Sequence, residues 1–307
     1  MIVDAHVHVW SFPSYRDLSD KIRSAEDLAA FRSRYPELYS ARITEPPEDN
    51  TDALVADMDA NGVGVAIVQA SPGYISNEQV AAASARYPAR LAPLLRIGHD
   101  QEAAGYLDDP APAREQAPDE VARGVQELGM RGVGELFARS LTNEMHPEKI
   151  ARDLEGVMLA CRRFGLPIQF PTAWSQFPGG LYYGDPVFVD EIAGRFPDVS
   201  IVLTKMGRGI TYYFDMCLAV ALRNDNVYFD TAGTSGQHLR AAIDRIGSER
   251  ILFGTDWSGT WRWVRHPLPL HQLRLKTLDD AQLTETEREH ILWKTAAKLY
   301  KLGPLVG

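Results

Sequence analysis

MIVDAHVHVW, residues 1–10, is the stretch on which the architecture turns. Valines alternate with polar residues here, and side chains on a strand point to opposite faces with a period of two. Asp4, His6 and His8 are thereby expected on one face and Val3, Val7 and Val9 on the other. The strand ends in His-Val-His-Val-Trp10. A doubly wound nucleotide-binding sheet would be expected to carry a glycine-rich phosphate loop at this point, so the ending favours a barrel over an open sheet.

Working outward, seven more short apolar runs read as strands: 63–70, 91–97, 132–137, 166–170, 199–205, 227–231 and 251–256. Helical periodicity fills the intervals 52–61, 77–87, 119–129, 147–164, 186–196, 212–223 and 236–246. A last helix over 284–301 opens on Thr284 and Glu287 in capping-box spacing. Strands alternating with helices pair in parallel. Eight such repeats predict an α/β protein of the (β/α)8 TIM-barrel type, one domain over residues 1–307. Three connections exceed ordinary length: an insertion over 11–50 after the first strand, 100–118, and the long strand-five loop PTAWSQFPGGLYYGD at 171–185. The first and third follow strands, so they belong on the C-terminal face, where barrel active sites lie.

Composition narrows the partners. Hydrophobic residues at 45% and charged ones at 24% supply a large core. The formal net charge is −9 and no basic run stands out, which argues against nucleic acid and leaves a small-molecule substrate. No apolar run approaches the ~18 residues of a membrane span, and the start is too short and polar for a signal peptide. Those features point to the cytoplasm, with no membrane partner. A homo-oligomer is the default assembly for such an enzyme. Cys161 and Cys217 lie in apolar, helix-like surroundings and read as inert buried thiols.

Two imidazoles close together on one strand are poor core packing, yet they suit a divalent ion, which accepts neutral ring nitrogens. Far along the chain, RILFGTDW (250–257) is a buried strand ending in Asp256. It would close the barrel beside the first strand and bring Asp256 to His6 and His8. DAHVH paired with RILFGTDW resembles the amidohydrolase-related superfamily, most of all its branch of lactonases, ACMSD-like decarboxylases and hydratases. FGLPIQF (164–170) resembles that branch's fifth strand, FPDVSIVLTKMG (196–207) its sixth, and ILWKTAAKLYKL (291–302) its closing helix.

The resemblance implies one divalent metal ion, zinc or manganese, held by His6, His8 and Asp256, with Asp256 doubling as general base. Two positions depart from the pattern. The fifth-strand His is replaced by Pro171 or Gln169, and the sixth-strand His by Lys205. Glu135, in GVGELF, could supply a further metal-binding carboxylate. Lys205 could instead replace the ion and stabilise an oxyanion, as in metal-free lactonases of the superfamily. Asp256 and Lys205 are the candidate catalytic residues. Trp10, Gln169, Trp174 and Arg208 are candidate substrate contacts, and Tyr182 and Tyr183 could stack on a flat substrate. Asp230 reads as a structural hydrogen-bonding residue, and His266 and His271 as loop histidines beside a proline-rich turn. Three functions remain open: hydrolysis of a C–O or C–N bond in a small, cyclic lactone or amide; non-oxidative decarboxylation of an aromatic or unsaturated acid; and a catalytically lapsed barrel used for binding.

Overall fold

The computed structural model describes residues 1–11, 47–70, 75–97, 117–138, 146–172, 180–258 and 268–303, with Gly180 and Tyr183 by backbone only. Most of the 11–50 insertion, all but two residues of 100–118, and 173–179 of the strand-five loop lie outside them.

Among the described residues, seven parallel strands form two sheets. Val3–Val9 (β1), Val65–Ala70 (β2) and Leu91–Pro93 (β3) make one. Ile168–Pro171 (β4), Ile201–Thr204 (β5), Val227–Asp230 (β6) and Ile251–Leu252 (β7) make the other. The expected strand over 132–137 contracts to one position, Val133, which bridges Leu95 on one side and Ile168 on the other. At the opposite edge β1 pairs with the continuation of β7: Ala5 N donates to Phe253 O at 2.8 Å, His8 N to Trp257 O at 2.7 Å, and Asp256 N to His6 O at 3.0 Å. Hydrogen bonding therefore runs round all eight strand positions, as a TIM barrel requires.

Helices at Thr51–Ala60, Asn77–Arg86, Ala117–Leu128, Glu155–Phe164, Val187–Arg195, Thr211–Arg223 and Gly236–Ile246 fall close to the expected intervals. An additional one, Leu270–Asp280, begins at the end of the proline-rich turn between His266 and His271 and runs through a stretch given no element from the sequence. Its opening Pro269 ends the turn and is compatible with a helix start, since proline lacks only a donor the first helical turn leaves unpaired.

β1 corrects the simple alternation. Its register against β2 shifts between Asp4 and Val7, the signature of a bulge. Val3 and Ala5 join the interior cluster with Ile67, Leu94, Val202 and Tyr300. Val7 and Val9 pack outside with Leu54, Met58 and Val80. Asp4 bonds Thr255 and His271 of the outer helix, so it does not share a face with His6 and His8. The extra residue in the bulge lets Ala5 and His6 both serve the interior.

The end of the barrel opposite the strand C-termini is closed by the final helical run, Glu285–Glu289, a π turn at His290–Lys294, and Thr295–Leu299. Ile291 O, in the π turn, accepts from Phe253 N at 2.8 Å. Tyr300 is 1% exposed, and its hydroxyl accepts from Gln169 Nε2 at 2.7 Å. Removing this ring should leave a cavity in the barrel floor. Tyr300→Ala is expected to lower unfolding free energy by about 3–5 kcal/mol, and Tyr300→Phe, which loses one hydrogen bond, by about 1 kcal/mol. Chemical denaturation of both variants checks this; equal losses would remove the floor-plug interpretation.

Candidate active site

The bulge delivers two imidazoles to one point. His6 Nδ1 bonds Asp230 Oδ2 at 2.7 Å and His8 Nδ1 bonds Ala70 O at 2.9 Å. A carbonyl oxygen can only accept, so the His8 proton lies on Nδ1; a carboxylate does the same for His6. Both Nε2 atoms are left facing one another at 3.3 Å. Asp256 Oδ1 lies 3.4 Å from His6 Nε2 and 3.2 Å from His8 Nε2. Glu135 Oε1 is 3.5 Å from His6 Nε2, and Oε2 is 3.7 Å from His8 Nε2.

Lys205 stands on the other side of Glu135. β5 ends at Thr204, and residues 205–209 form a left-handed turn in which Lys205, Met206 and Arg208 have φ of 70°, 42° and 51°. Each non-glycine residue there costs about 1–2 kcal/mol. Gly207 is required: a Cβ on it would lie 2.4 Å from Phe214 N. The turn is held by Lys205 N donating to Asp230 Oδ1 at 2.7 Å and Gly207 N to Thr172 Oγ1 at 3.1 Å. Its result is to bring two cations to one carboxylate, with Lys205 Nζ 3.9 Å and Arg208 Nη2 3.8 Å from Asp256 Oδ2. Lys205 Nζ also donates to Glu135 Oε1 at 2.6 Å, and Thr204 Oγ1 donates to the same oxygen.

Charge follows from this packing. Burial would push Glu135 and Asp256 up, but Lys205 and His6 outweigh it and hold both carboxyls well below their ordinary range. His6 is pushed up to about 10: burial and Lys205 oppose protonation, and Glu135, Asp230 and Asp256 prevail. The cluster attracts positive charge.

It also has the chemistry of a metal centre. His6, His8 and Asp256 each offer one donor atom, all within 4.8 Å of one another. Ligands 2.0–2.1 Å from a tetrahedral ion lie about 3.3 Å apart, close to the separations found here. Both imidazoles are oriented from behind by an oxygen acceptor, as metal-binding histidines are. The donor set fits a divalent ion, and Glu135 Oε2 stands where it could join.

Behind β1 is a second buried cluster. His271 Nε2 lies 3.1 Å from Asp4 Oδ2, and His271 Nδ1 lies 2.8 Å from Asp57 Oδ2. Asp4 also accepts from Thr255 Oγ1 at 2.6 Å and from the backbone of His6 and Thr255, each at 3.1 Å. Asp57 accepts from Trp257 Nε1 at 2.9 Å. One imidazole thus joins β1 to the helix Thr51–Ala60, and the two carboxylates it bridges hold Thr255 and Trp257, on either side of Asp256.

Five predicted residues therefore converge: His6, His8, Glu135, Lys205 and Asp256. Arg208, a candidate substrate contact, reaches Asp256. Gln169 is built into the barrel interior, bonding Ala5 O at 3.1 Å and Tyr300. Trp10 packs against the cluster behind β1 and donates to Gln79 O at 3.1 Å. Trp174 and His266 lie outside the described residues, and Tyr182 is 53% exposed. Asp230 is structural, as expected, but acts directly on His6. His271 is corrected from a loop histidine to a fully buried helical one, because both its nitrogens have carboxylate partners. Asp57, which the sequence reading missed, carries no distinguishing sequence signal. Cys161 and Cys217 are buried free thiols that burial pushes up to about 12.

The amidohydrolase family model, Amidohydro_2, matches residues 3–302, and the chain belongs to that family of enzymes. A γ-resorcylate decarboxylase from Polaromonas sp. (strain JS666 / ATCC BAA-500) is 29% identical over 127 residues, which span only 36% of this chain and 36% of that relative. Two solved structures share the fold. A 2,6-dihydroxybenzoate decarboxylase bound to 2,6-dihydroxybenzoate has a TM-score of 0.65 and 16% identity, covering 98% of this chain and 99% of its own. A putative 2-pyrone-4,6-dicarboxylic acid hydrolase from Pseudomonas putida has a TM-score of 0.61 and 16% identity, covering 98% of each chain. Among the described residues no helix is long and apolar enough to cross a membrane.

Burial works against charge on His271, yet its bonds to Asp4 and Asp57 raise its pKa above 6.5. A raised folded pKa means the stabilisation is complete below the unfolded value and lost as pH rises through the folded one. The stability gap between wild type and His271→Gln should therefore be widest below about pH 6.5 and narrow on going alkaline. Urea midpoints at several pH values measure it, and a gap that widens with pH would contradict the clamp.

Proposed function

We propose that this protein hydrolyses a C–O or C–N bond of a small, cyclic lactone or amide. The observation that carries this reading is Asp256: a carboxylate held ionised, 3.2–3.4 Å from two imidazole nitrogens, with its side chain 22% exposed to the barrel mouth. An ionised carboxylate so placed is a base toward water.

His6, His8 and Asp256 would hold one divalent ion, zinc or manganese, with Glu135 as a further ligand. Such an ion supplies a polarised carbonyl and a more acidic water. Asp256 takes a proton from the attacking water as its oxygen bonds the carbonyl carbon. Lys205, anchored by Glu135, offers its remaining N–H groups to the developing oxyanion. The C–O or C–N bond then breaks, and Asp256 returns the proton to the leaving oxygen or nitrogen. His6 and His8 stay fixed by Asp230 and Ala70 throughout.

A second reading, non-oxidative decarboxylation of an aromatic or unsaturated acid, is favoured by two cations, Lys205 and Arg208, within 4 Å of Asp256 Oδ2. They would hold an anionic substrate while Asp256 takes a proton from water and passes it to the carbon whose bond to the departing CO2 breaks. The activities of the decarboxylase relatives point the same way. Ring-opened acid from a lactone panel supports hydrolysis, whereas labelled CO2 from carboxyl-labelled aromatic acids supports decarboxylation.

Protein purified without chelator should contain near one zinc or manganese per chain by elemental mass spectrometry, and His6→Ala should lose it. Since His6 holds a proton up to about pH 10 without the ion, metal affinity should climb roughly tenfold per pH unit between pH 6 and 9. Chelator competition reads that slope, and a flat profile would show the ion is held elsewhere. Asp256→Asn should lower kcat by about 10²–10⁴-fold on the true substrate; full activity in that variant would end both readings.

A further inference from the structure

Along β2, Val65 and Ile67 point to the barrel interior with Ala5, Leu94 and Val202, whereas Ala66, Val68 and Ala70 pack outward with Leu54 and Met58. Gln69 is in phase with the first set. It therefore stands on the interior face, one pleat above Ile67 toward the strand C-termini, and it is in register with His8 of β1. The side chain is 1% exposed. Neither Nε2 nor Oε1 has a hydrogen-bond partner among the described residues.

A buried amide with no partner is unfavourable compared with an apolar side chain of the same length. Gln169, also interior, is tied into the barrel through the two partners of its Nε2, and only its Oε1 has none among the described residues; Gln69 has no such partner at either amide atom. In the layer beneath Gln69 the same face of β2 is apolar, and methionine or leucine would satisfy its packing. The amide is enclosed and unpaired at the C-terminal end of a barrel strand, in register with a histidine of the site, and that end is where barrel substrates bind.

We infer that Gln69 is a specificity-determining residue whose amide reads a substrate edge bearing a hydrogen-bond acceptor and a donor side by side. The amide offers N–H donors and a carbonyl acceptor in one plane. Its complement is a hydroxyl next to a carboxylate, or a carboxamide. A buried amide of this kind discriminates by remaining unpaired when the wrong ligand enters. The inference rests on the reading that the barrel mouth takes a small carbonyl or carboxyl compound, and it holds for hydrolysis and decarboxylation alike.

Thermal melts of the full chain test it, with wild type and Gln69→Met compared alone and with 2-hydroxybenzoate, benzoate or benzamide. Without ligand, Gln69→Met should melt about 2 °C higher, because an unpaired amide has been replaced by an apolar chain of equal length. Wild type should bind 2-hydroxybenzoate or benzamide about tenfold tighter than benzoate, which lacks the donor, and Gln69→Met should lose that preference. Preference for 2-hydroxybenzoate assigns the hydroxyl–carboxylate edge, and preference for benzamide the carboxamide. A variant that melts lower, a preference that survives the substitution, or a wild type indifferent to all three probes overturns the inference. None of these readouts involves turnover, so the proposed reaction can fail while the role of Gln69 stands.

Discussion

Asp230 ties three chain segments into one arrangement. Its Oδ2 meets His6 Nδ1 at 2.7 Å, and its Oδ1 accepts the backbone N–H groups of Lys205 at 2.7 Å and Ala232 at 2.9 Å. A fully buried carboxylate must be compensated, and here the compensation builds the site. The same charge that orients His6 holds open the left-handed turn from which Lys205 and Arg208 emerge. Without it the His6 ring would lose its partner and the turn its anchor, so geometry and electrostatics would fail together.

The strain this arrangement carries is concentrated at strand ends. Trp10, Lys205 and Asp256, at the ends of β1, β5 and the last strand segment, all have positive φ. Such conformations persist where surrounding bonds over-determine them. The scaffold around them is a layered apolar core in which outward valines and leucines meet helices. That rigid frame supports a cluster of two carboxylates, two imidazoles and an ammonium that would repel or misfold on a softer surface. The Asp4–His271–Asp57 clamp extends the support outward by fixing the strand that carries His6 to the helix Thr51–Ala60, while Asp4 and Asp57 hold Thr255 and Trp257 on either side of Asp256.

Much of this was readable along the chain. Period-two and helical patterning located the strands and most helices, since burial imposes that periodicity. The misses have local causes. At 132–137 two glycines and a charged residue leave only Val133 to pair on both sides. The helix at Leu270–Asp280 was hidden by prolines just before it, which read as a turn. The bulge in β1 is invisible to a rule that assumes perfect alternation, and it reverses the face assigned to Val3 and Asp4.

Residue types and their order alone determined the alternation of parallel strands and helices, the two imidazoles of β1 and a carboxylate ending the last strand; the resemblance of DAHVH and RILFGTDW to the amidohydrolase-related superfamily added the candidacy of Glu135 and Lys205. The patterning follows from burial, and the candidacies from chemistry that each side chain carries wherever it is placed. Tertiary structure alone decided that Asp230 orients His6, that His271 is buried between two carboxylates, and that Arg208 reaches Asp256. It also decided that Gln169 Nε2 is bonded into the barrel while neither amide atom of Gln69 has a partner among the described residues. The physical reason is that hydrogen bonding, desolvation and charge coupling depend on distances between residues as far as 267 positions apart in the chain, as between Asp4 and His271, and no local pattern encodes them.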